Sequence, residues 1–247
     1  MINKKMRARG CIAVAVGMLF MSTGAFAQES AYDDLNSCVK KEQVLTTAKG
    51  AGLGALAGLS AMLVAHKKED AGKAALIGAV AGGVAGFATA YYTAVDTCYK
   101  KNPSWIPESK LQRTKDFDKV KKEIRYTPKQ GPLTKVRSID VPGAITAGSQ
   151  PEVTSNFIVM TPRGDDAPIT IERKLFVVDG DKPTEVPFQT QNGATQQLTV
   201  EPGEQQDTVH VPIPPDAKPG SKFIYQVSVA LEGGKADVQQ KELTVTQ

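Results

Sequence analysis

Two ladders of glycines, bracketed by two cysteines, limit what this chain can fold into more than any other feature of its 247 residues. The glycines recur at every fourth position in two apolar segments: Gly50, Gly54 and Gly58, then Gly78, Gly82 and Gly86. Folding the chain back about position 68 aligns the two ladders, and the same register pairs Cys38 with Cys98. The polar run at 66–70 falls at the fold point. We therefore predict an antiparallel helical hairpin over residues 28–100, closed at its open end by a Cys38–Cys98 disulfide.

A glycine at every fourth position leaves one ridge of a helix without side chains, so two helix backbones can approach closely along it. Glycine weakens a helix by about 1 kcal/mol relative to alanine, and six glycines need a compensating contact. In a bilayer, close packing of small residues supplies that contact. The runs 44–65 and 74–95 carry one charge and none, and each is long enough to cross a bilayer core. The hairpin is therefore predicted to be transmembrane; a soluble hairpin with packed glycine faces is the alternative.

The first 27 residues have the pattern of an export signal. A basic start, an apolar run ending at Phe20 and the cleavage motif Ala25-Phe26-Ala27 follow one another. The signal contains four basic and no acidic residues, so its removal lowers the formal charge from +4 to 0. A neutral mature chain does not indicate nucleic-acid binding. Two cysteines remain after export to an oxidising compartment, where an even pair indicates a disulfide; two unpaired buried thiols are the alternative.

The paired ladders GAGLGALAG (50–58) and GAVAGGVAG (78–86) resemble the glycine-zipper two-transmembrane proteins of bacterial envelopes. The resemblance covers roughly 50 of the 247 residues. It implies a structural role, since members of that group are typically outer-membrane lipoproteins or surface antigens. The chain departs from the lipoprotein members because no lipid-attachment cysteine follows its apolar signal core; Cys11 precedes that core.

Residues 101–135 are predicted to be a basic linker that contains a helix. Four apolar residues recur near helical spacing between Ser109 and Arg125: Leu111, Phe117, Val120 and Ile124. The same segment carries seven basic side chains: Lys110, Arg113, Lys115, Lys119, Lys121, Lys122 and Arg125. A basic helix beside a membrane can lie on anionic lipid; a solvated connecting helix is the alternative.

Three aromatic residues near the hairpin fit a membrane interface. Tyr91 and Tyr92 lie near the cysteine end of the second apolar segment, where an interfacial aromatic pair is expected. Trp105, the only tryptophan, follows a few residues later. Its position suits the lipid headgroup layer, and packing against the next domain is the alternative.

From residue 136 onward, short runs rich in Val, Ile, Thr and Phe alternate with breaks that contain Pro or Gly. The clearest runs are Thr154–Met160, Ile169–Val178, Thr195–Val200, Asp207–Ile213, Phe223–Leu231 and Val238–Val245. They predict an immunoglobulin-like β-sandwich over residues 136–247. The stretch from Pro219 to Leu231 resembles the late strand of many bacterial domains of that type, and this resemblance implies that Tyr225 is a corner tyrosine. The predicted fold class is therefore α+β multidomain: a helical hairpin followed by an all-β sandwich.

Few residues suggest chemistry. His66 and His210 are the only histidines, and neither has a Cys or carboxylate cluster at metal-ligand spacing. Asp165-Asp166 and the run 179–181 resemble fragments of calcium loops, but the twelve-residue pattern is missing. We interpret both as turns and predict no enzymatic activity, no cofactor and no metal site.

Together these patterns favour a non-enzymatic protein of the bacterial cell envelope. The lipid bilayer would hold the hairpin, and the periplasmic sandwich would bind an unidentified protein or serve envelope assembly. The hairpin also suits self-association as a homo-oligomer. The alternative function is a secreted oligomer that inserts its Ala/Gly-rich hairpin into a target membrane. A carbohydrate-binding module is disfavoured, because aromatic residues make up only 6% of the chain and no aromatic platform is evident.

Overall fold

The computed structural model describes residues 33–43 and 83–247. The predicted signal at 1–27 lies outside these ranges, as do five of the six ladder glycines: Gly50, Gly54, Gly58, Gly78 and Gly82. Residues 33–43 are helical and are called α1 here. Helix α2 spans Gly83–Lys101 and is followed by a short 3-10 turn at Pro103–Trp105.

Two antiparallel sheets account for most of the described residues after α2. Their strands are β1 (Lys110–Asp116), β2 (Leu133–Asp140), β3 (Glu152–Met160), β4 (Ala167–Asp179), β5 (Lys182–Val186), β6 (Thr195–Val200), β7 (Gly203–His210), β8 (Lys222–Leu231) and β9 (Asp237–Thr244). The first sheet has the order β1-β7-β3-β2. The second has the order β5-β4-β8-β9, with β6 also paired to β4. Buried side chains from both sheets share one core, so the predicted β-sandwich is present.

The alternation of β4 shows why the sheets pack face to face. Every second residue from Ala167 to Val177 is buried, and the residues between are exposed or half-buried. This period of two places one side of the strand on the core. The end of β3 differs, since four consecutive residues, Phe157–Met160, are all buried. Phe157 and Val159 face the main core, whereas Ile158 and Met160 belong to a second apolar cluster on the other side of the sheet.

The second cluster lies beneath helix α3, which spans Phe117–Ile124. Val120 is fully buried there against Ile158 and Met160. The side chain of Asp116 caps the helix by accepting a hydrogen bond from the backbone N–H of Lys119 at 2.8 Å. Helix α3 therefore covers the outer face of the first sheet.

The predicted linker at 101–135 is partly different in the structure. It contains a helix, but Lys110–Asp116 forms strand β1 at the edge of the first sheet, paired with β7. The reason is that the apolar residues of this segment face two separate cores. Leu111 packs against the main core, whereas Phe117 and Ile124 pack in the second cluster.

Candidate functional site: the base of the hairpin

The predicted disulfide joins the two helices at the base of the hairpin. Cys38 on α1 and Cys98 on α2 are bonded, with their Cα atoms 6.1 Å apart. Cys98 is fully buried, and Leu35 and Val39 on α1 are buried beside it. A second link is the ion pair between Lys101 and Glu42, whose Nζ and Oε1 atoms lie 2.6 Å apart. Covalent and ionic contacts thus close the same end of the hairpin.

The closed base packs directly on the sandwich. The Tyr92 ring lies 6.4 Å from the Phe223 ring in an edge-to-face arrangement. Its hydroxyl donates a hydrogen bond to the carbonyl oxygen of Pro212 at 2.7 Å. Val95 and Tyr99 extend this contact toward the segment after β5, where they lie beside Pro187 and Phe188. The helices and the sandwich therefore share one continuous core.

Polar groups at the rim of this contact fix the orientation of α2 on the sandwich. The amide of Gln189 donates a hydrogen bond to Asp96 on α2 at 3.3 Å, and Asp96 also pairs with Lys100 at 2.6 Å. Burial, followed by the nearby Tyr91 and Tyr99, raises the pKa of the Tyr92 hydroxyl well above its usual range. Tyr92 therefore stays protonated and available as a donor.

The interfacial role predicted for the aromatic pair is wrong. Tyr91 and Tyr92 are 3% and 1% exposed because they pack in the core that α2 shares with the sandwich. Trp105 is half-buried against the same core, as in its alternative interpretation. Residues 88–95 of the uncharged run 74–95 therefore pack on the sandwich along one side of α2. Among the residues that the structure describes, none forms a helix with both the length and the hydropathy that a bilayer crossing requires.

Gly86 is the one ladder glycine that lies in the described ranges. This residue is exposed, and a Cβ atom built on it would meet no described atom within 4 Å. Its predicted partner Gly50 lies outside the described residues, so the packing of the ladder stays a prediction.

A buried ion pair crosses the middle of the sandwich. Arg173 on β4 makes two hydrogen bonds to Asp207 on β7, from Nε and from Nη2, each 2.7 Å long. Their side chains are 0% and 1% exposed. Burial disfavours the charge of Arg173, but the hydrogen bonds and charge of Asp207 prevail and raise the pKa of the guanidinium. The pair joins the two sheets and is closed to a substrate.

Tyr225 belongs to this cluster and not to a strand corner. It lies in the middle of β8, fully buried, and its hydroxyl has no hydrogen-bond partner of standard geometry among the described residues. Burial, and then the charge of Asp207, raise the pKa of this hydroxyl above its usual range. The sequence alone does not identify this cluster, although Arg173 and Asp207 both fall on inward positions of alternating strands.

A second charge network lies at the end of the sandwich that is opposite the hairpin base. Glu123 on α3 pairs with Arg137 at 2.5 Å and with Lys115 at 3.0 Å. Both cations also contact Glu204 on β7, at 2.6 and 3.1 Å. Hydrogen bonds from Arg137 and Lys115 lower the pKa of Glu123 to about 2. The network binds α3 to the sheet beneath it.

The residues considered for metal or acid–base chemistry do not come together. The ring of His210 is 3.3 Å from the carbonyl oxygen of Glu108, and His66 lies outside the described residues. Asp165 pairs with Arg163 in the β3–β4 turn, and Gly180 forms the β4–β5 turn with a φ of 59°. Within the described ranges, no group of three His, Cys, Asp or Glu residues could hold a metal ion.

Comparison with protein-family models finds no match, and neither does comparison with curated proteins. Among solved structures, the sporulation control protein of Bacillus subtilis is 16% identical over 46% of this chain and 49% of its own, with a TM-score of 0.32. A CARDB domain from Pyrococcus furiosus, solved with two metal ions, is 13% identical over 47% of this chain and 90% of its own, with a TM-score of 0.33.

A family 123 glycoside hydrolase from Clostridium perfringens is 10% identical over 47% of this chain and 27% of its own, with a TM-score of 0.32. The chain thus spans about half of the sporulation protein and about a quarter of the hydrolase. Similarity at this level carries no argument about function, so the expected lack of enzymatic activity stays a prediction.

Proposed function

We propose that this protein is a non-enzymatic component of the bacterial cell envelope whose hairpin attaches a periplasmic sandwich to a membrane. The observation that carries the proposal is the closed base of the hairpin. The Cys38–Cys98 disulfide, a bond typical of exported proteins, joins two helices that are buried against the sandwich. An arm fixed in this way would hold the sandwich in one orientation relative to the membrane.

The number of uncharged residues before Ala88 limits how the second segment could meet lipid. Among the described residues of α2, Ala88 is the first that packs on the sandwich core, and 14 uncharged residues, 74–87, precede it. As a continuous helix they would extend about 21 Å, whereas a bilayer core of about 30 Å needs about 20 residues. We therefore propose that the arm enters one leaflet and does not cross the membrane.

We infer further that the sandwich is immunoglobulin-like. Strands β2, β3 and β7 are neighbours in one sheet, and β4, β8 and β9 are neighbours in the other. This grouping corresponds to strands A, B and E facing C, F and G of that fold. The fold hosts many functions, so binding of a protein partner is proposed from the setting, a rigid module presented beside a membrane.

The test is fractionation of cells that express the full chain. The mature protein should stay with membranes after an alkaline wash and contain no free thiol when it is labelled in denaturant. Recovery from the soluble periplasm would contradict membrane attachment, and recovery from the medium as an oligomer would favour the secreted alternative. Gly82→Leu should weaken the packing along the glycine ladder. Gly83→Leu serves as its control, because residue 83 lies about 100° around the helix from the ladder.

A further inference from the structure

Helix α3 lies at the end of the sandwich farthest from the hairpin base. Strand β1 runs from Lys110, opposite Thr208 of β7, to Asp116, opposite Gly203. The base contacts Pro212, beyond the first of these ends, and α3 starts directly after the second. Seven residues of strand separate the two ends by about 20 Å.

One side of α3 is apolar and faces the sheet. Phe117, Val120 and Ile124 are spaced three and four residues apart, so they share a face, and all three pack in the cluster with Ile158 and Met160. The polar residues of the helix lie on its other sides, which are exposed or half-buried.

The outward side of α3 carries more cations than acids, and its acid Asp118, which is exposed, lies four residues before Lys122. Residues 117–135 contain six basic and two acidic side chains. Glu123 is held at the sheet by Arg137 and Lys115, and so it does not neutralise the exposed cations. Lys119 pairs with Asp116. The remaining exposed or half-buried cations on α3 and the turn after it form what we call the distal cationic face: Lys121, Lys122, Arg125 and Lys129.

Stabilisation of the helix does not account for the whole face. Cations in the last turn, Lys121 and Lys122, are favoured by the helix dipole. Arg125 follows the helix with a φ of 53°, in the left-handed region. Lys129 lies still farther on, in the 3-10 turn Pro128–Gln130, beyond the reach of that dipole. Binding of an external anionic surface would account for all four positions.

We propose that the distal cationic face binds a surface of anionic phospholipid headgroups. Lysine supplies mobile point charges and arginine can hold a phosphate with two hydrogen bonds. Anionic lipid headgroups present phosphate as an extended surface, and a basic helix lying flat on a support matches such a surface. Since the hairpin base is at the opposite end, a molecule attached by its arm would present this face to a second membrane surface. The geometry of the face does not depend on insertion of the arm.

The experiment compares binding of the mature, oxidised chain to phosphatidylcholine vesicles and to vesicles that also contain phosphatidylglycerol. Each basic residue near an anionic surface contributes about fivefold to partitioning, equivalent to about 1 kcal/mol. Replacing Lys122, Arg125 and Lys129 together by Glu should therefore lower the excess binding to anionic vesicles by at least about 100-fold. Salt should weaken the excess binding of the unmodified chain, because exposed charges are screened.

The matched control replaces three exposed lysines outside the face by Glu: Lys182, Lys218 and Lys235. It changes the net charge equally and should leave most of the excess binding intact, with both variants showing the unmodified thermal transition. Equal binding of the unmodified chain to both kinds of vesicle, or equal losses in the two variants, would overturn the proposal. So would binding of soluble polyphosphate without binding of vesicles. A chain that ignores neutral vesicles but binds anionic ones through this face would support the inference while contradicting attachment by the arm.

Discussion

The hydroxyl of Tyr92 on α2 donates a hydrogen bond to the carbonyl oxygen of Pro212, which is 120 residues away in sequence and 2.7 Å away in space. This buried bond ties the disulfide-closed base to the sandwich. Tyr92→Phe would keep the ring packing and leave the Pro212 carbonyl without its donor, which costs about 1–3 kcal/mol for a buried group. We expect the free energy of unfolding to fall by that amount in a denaturant titration.

Tyr126→Phe is the control for this change, because the Tyr126 hydroxyl donates to Gly131 at 2.6 Å near the opposite end of the sandwich. Both variants should be less stable. Only Tyr92→Phe should speed reduction of the Cys38–Cys98 disulfide by a soluble thiol, since only that variant loosens the base. Equal reduction rates in the two variants would show that the hydrogen bond does not protect the disulfide.

The buried pair of Arg173 and Asp207 predicts a strongly non-additive result. Asp207→Ala leaves the guanidinium buried without its counter-charge, and such a loss costs about 3–5 kcal/mol. The double variant Arg173→Met with Asp207→Ala removes both charges and should be more stable than Asp207→Ala alone. Denaturant unfolding of the single and double variants measures this coupling. A double variant whose loss equals the sum of the single losses would mean that the two charges do not interact.

The network at the other end predicts sensitivity to acid. Arg137 and Lys115 hold the pKa of Glu123 at about 2, below its ordinary value of 4.5. Because the folded-state pKa is the lower one, the stabilisation is present above about pH 4.5 and is lost as the pH falls toward 2. Glu123→Gln should flatten the decline of the urea midpoint between about pH 6 and about pH 3. Glu232→Gln, in the exposed β8–β9 turn, should leave the decline unchanged.

Gly203 is required by the close approach of β1 to β7. Its φ is 141°, and a Cβ atom there would overlap with the carbonyl oxygen of Lys115. The neighbour is backbone of the paired strand, so relief requires β1 to move. We expect Gly203→Ala to lower stability by about 1–3 kcal/mol, as overpacking commonly does. Gly143→Ala, where a Cβ atom would meet no described atom within 4 Å, should change the thermal midpoint little.

The features that sequence predicted correctly depend on local periodicity or on a shared register. The buried alternation of β8 matches the predicted run Phe223–Leu231 within one residue, and the register of the glycine ladders paired Cys38 with Cys98. Strand β1 was missed because its sequence, KLQRTKD, is polar and charged. Only its long-range pairing with β7 makes it a strand.

The role of the aromatic residues on α2 could also not be predicted from the sequence, but the reason is different. A tyrosine presents an apolar ring and a polar hydroxyl, which suit a lipid interface and the boundary of a protein core equally well. The contact of Tyr92 with Pro212 and Phe223 decides between these environments. Arg173 was likewise passed over because a charge at an inward position is identified only once its partner strand is known.

The position of β1 and α3 predicts where the sandwich can be cut from the chain. The change in composition places the boundary at residue 136, but residues 110–124 supply an edge strand and the cover over Ile158 and Met160. Fragments of residues 107–247 and 136–247 both lack α2 and expose the core surface that it covers, so the longer fragment, which keeps β1 and α3, should be the more soluble and should unfold cooperatively. A fragment of residues 136–247 would expose the second apolar cluster and leave β7 as an unprotected sheet edge, which invites aggregation. Thermal unfolding and light scattering of the two fragments at equal concentration check this difference. Equal solubility and equal cooperativity would show that β1 and α3 are accessory to the fold, and would place the boundary at residue 136.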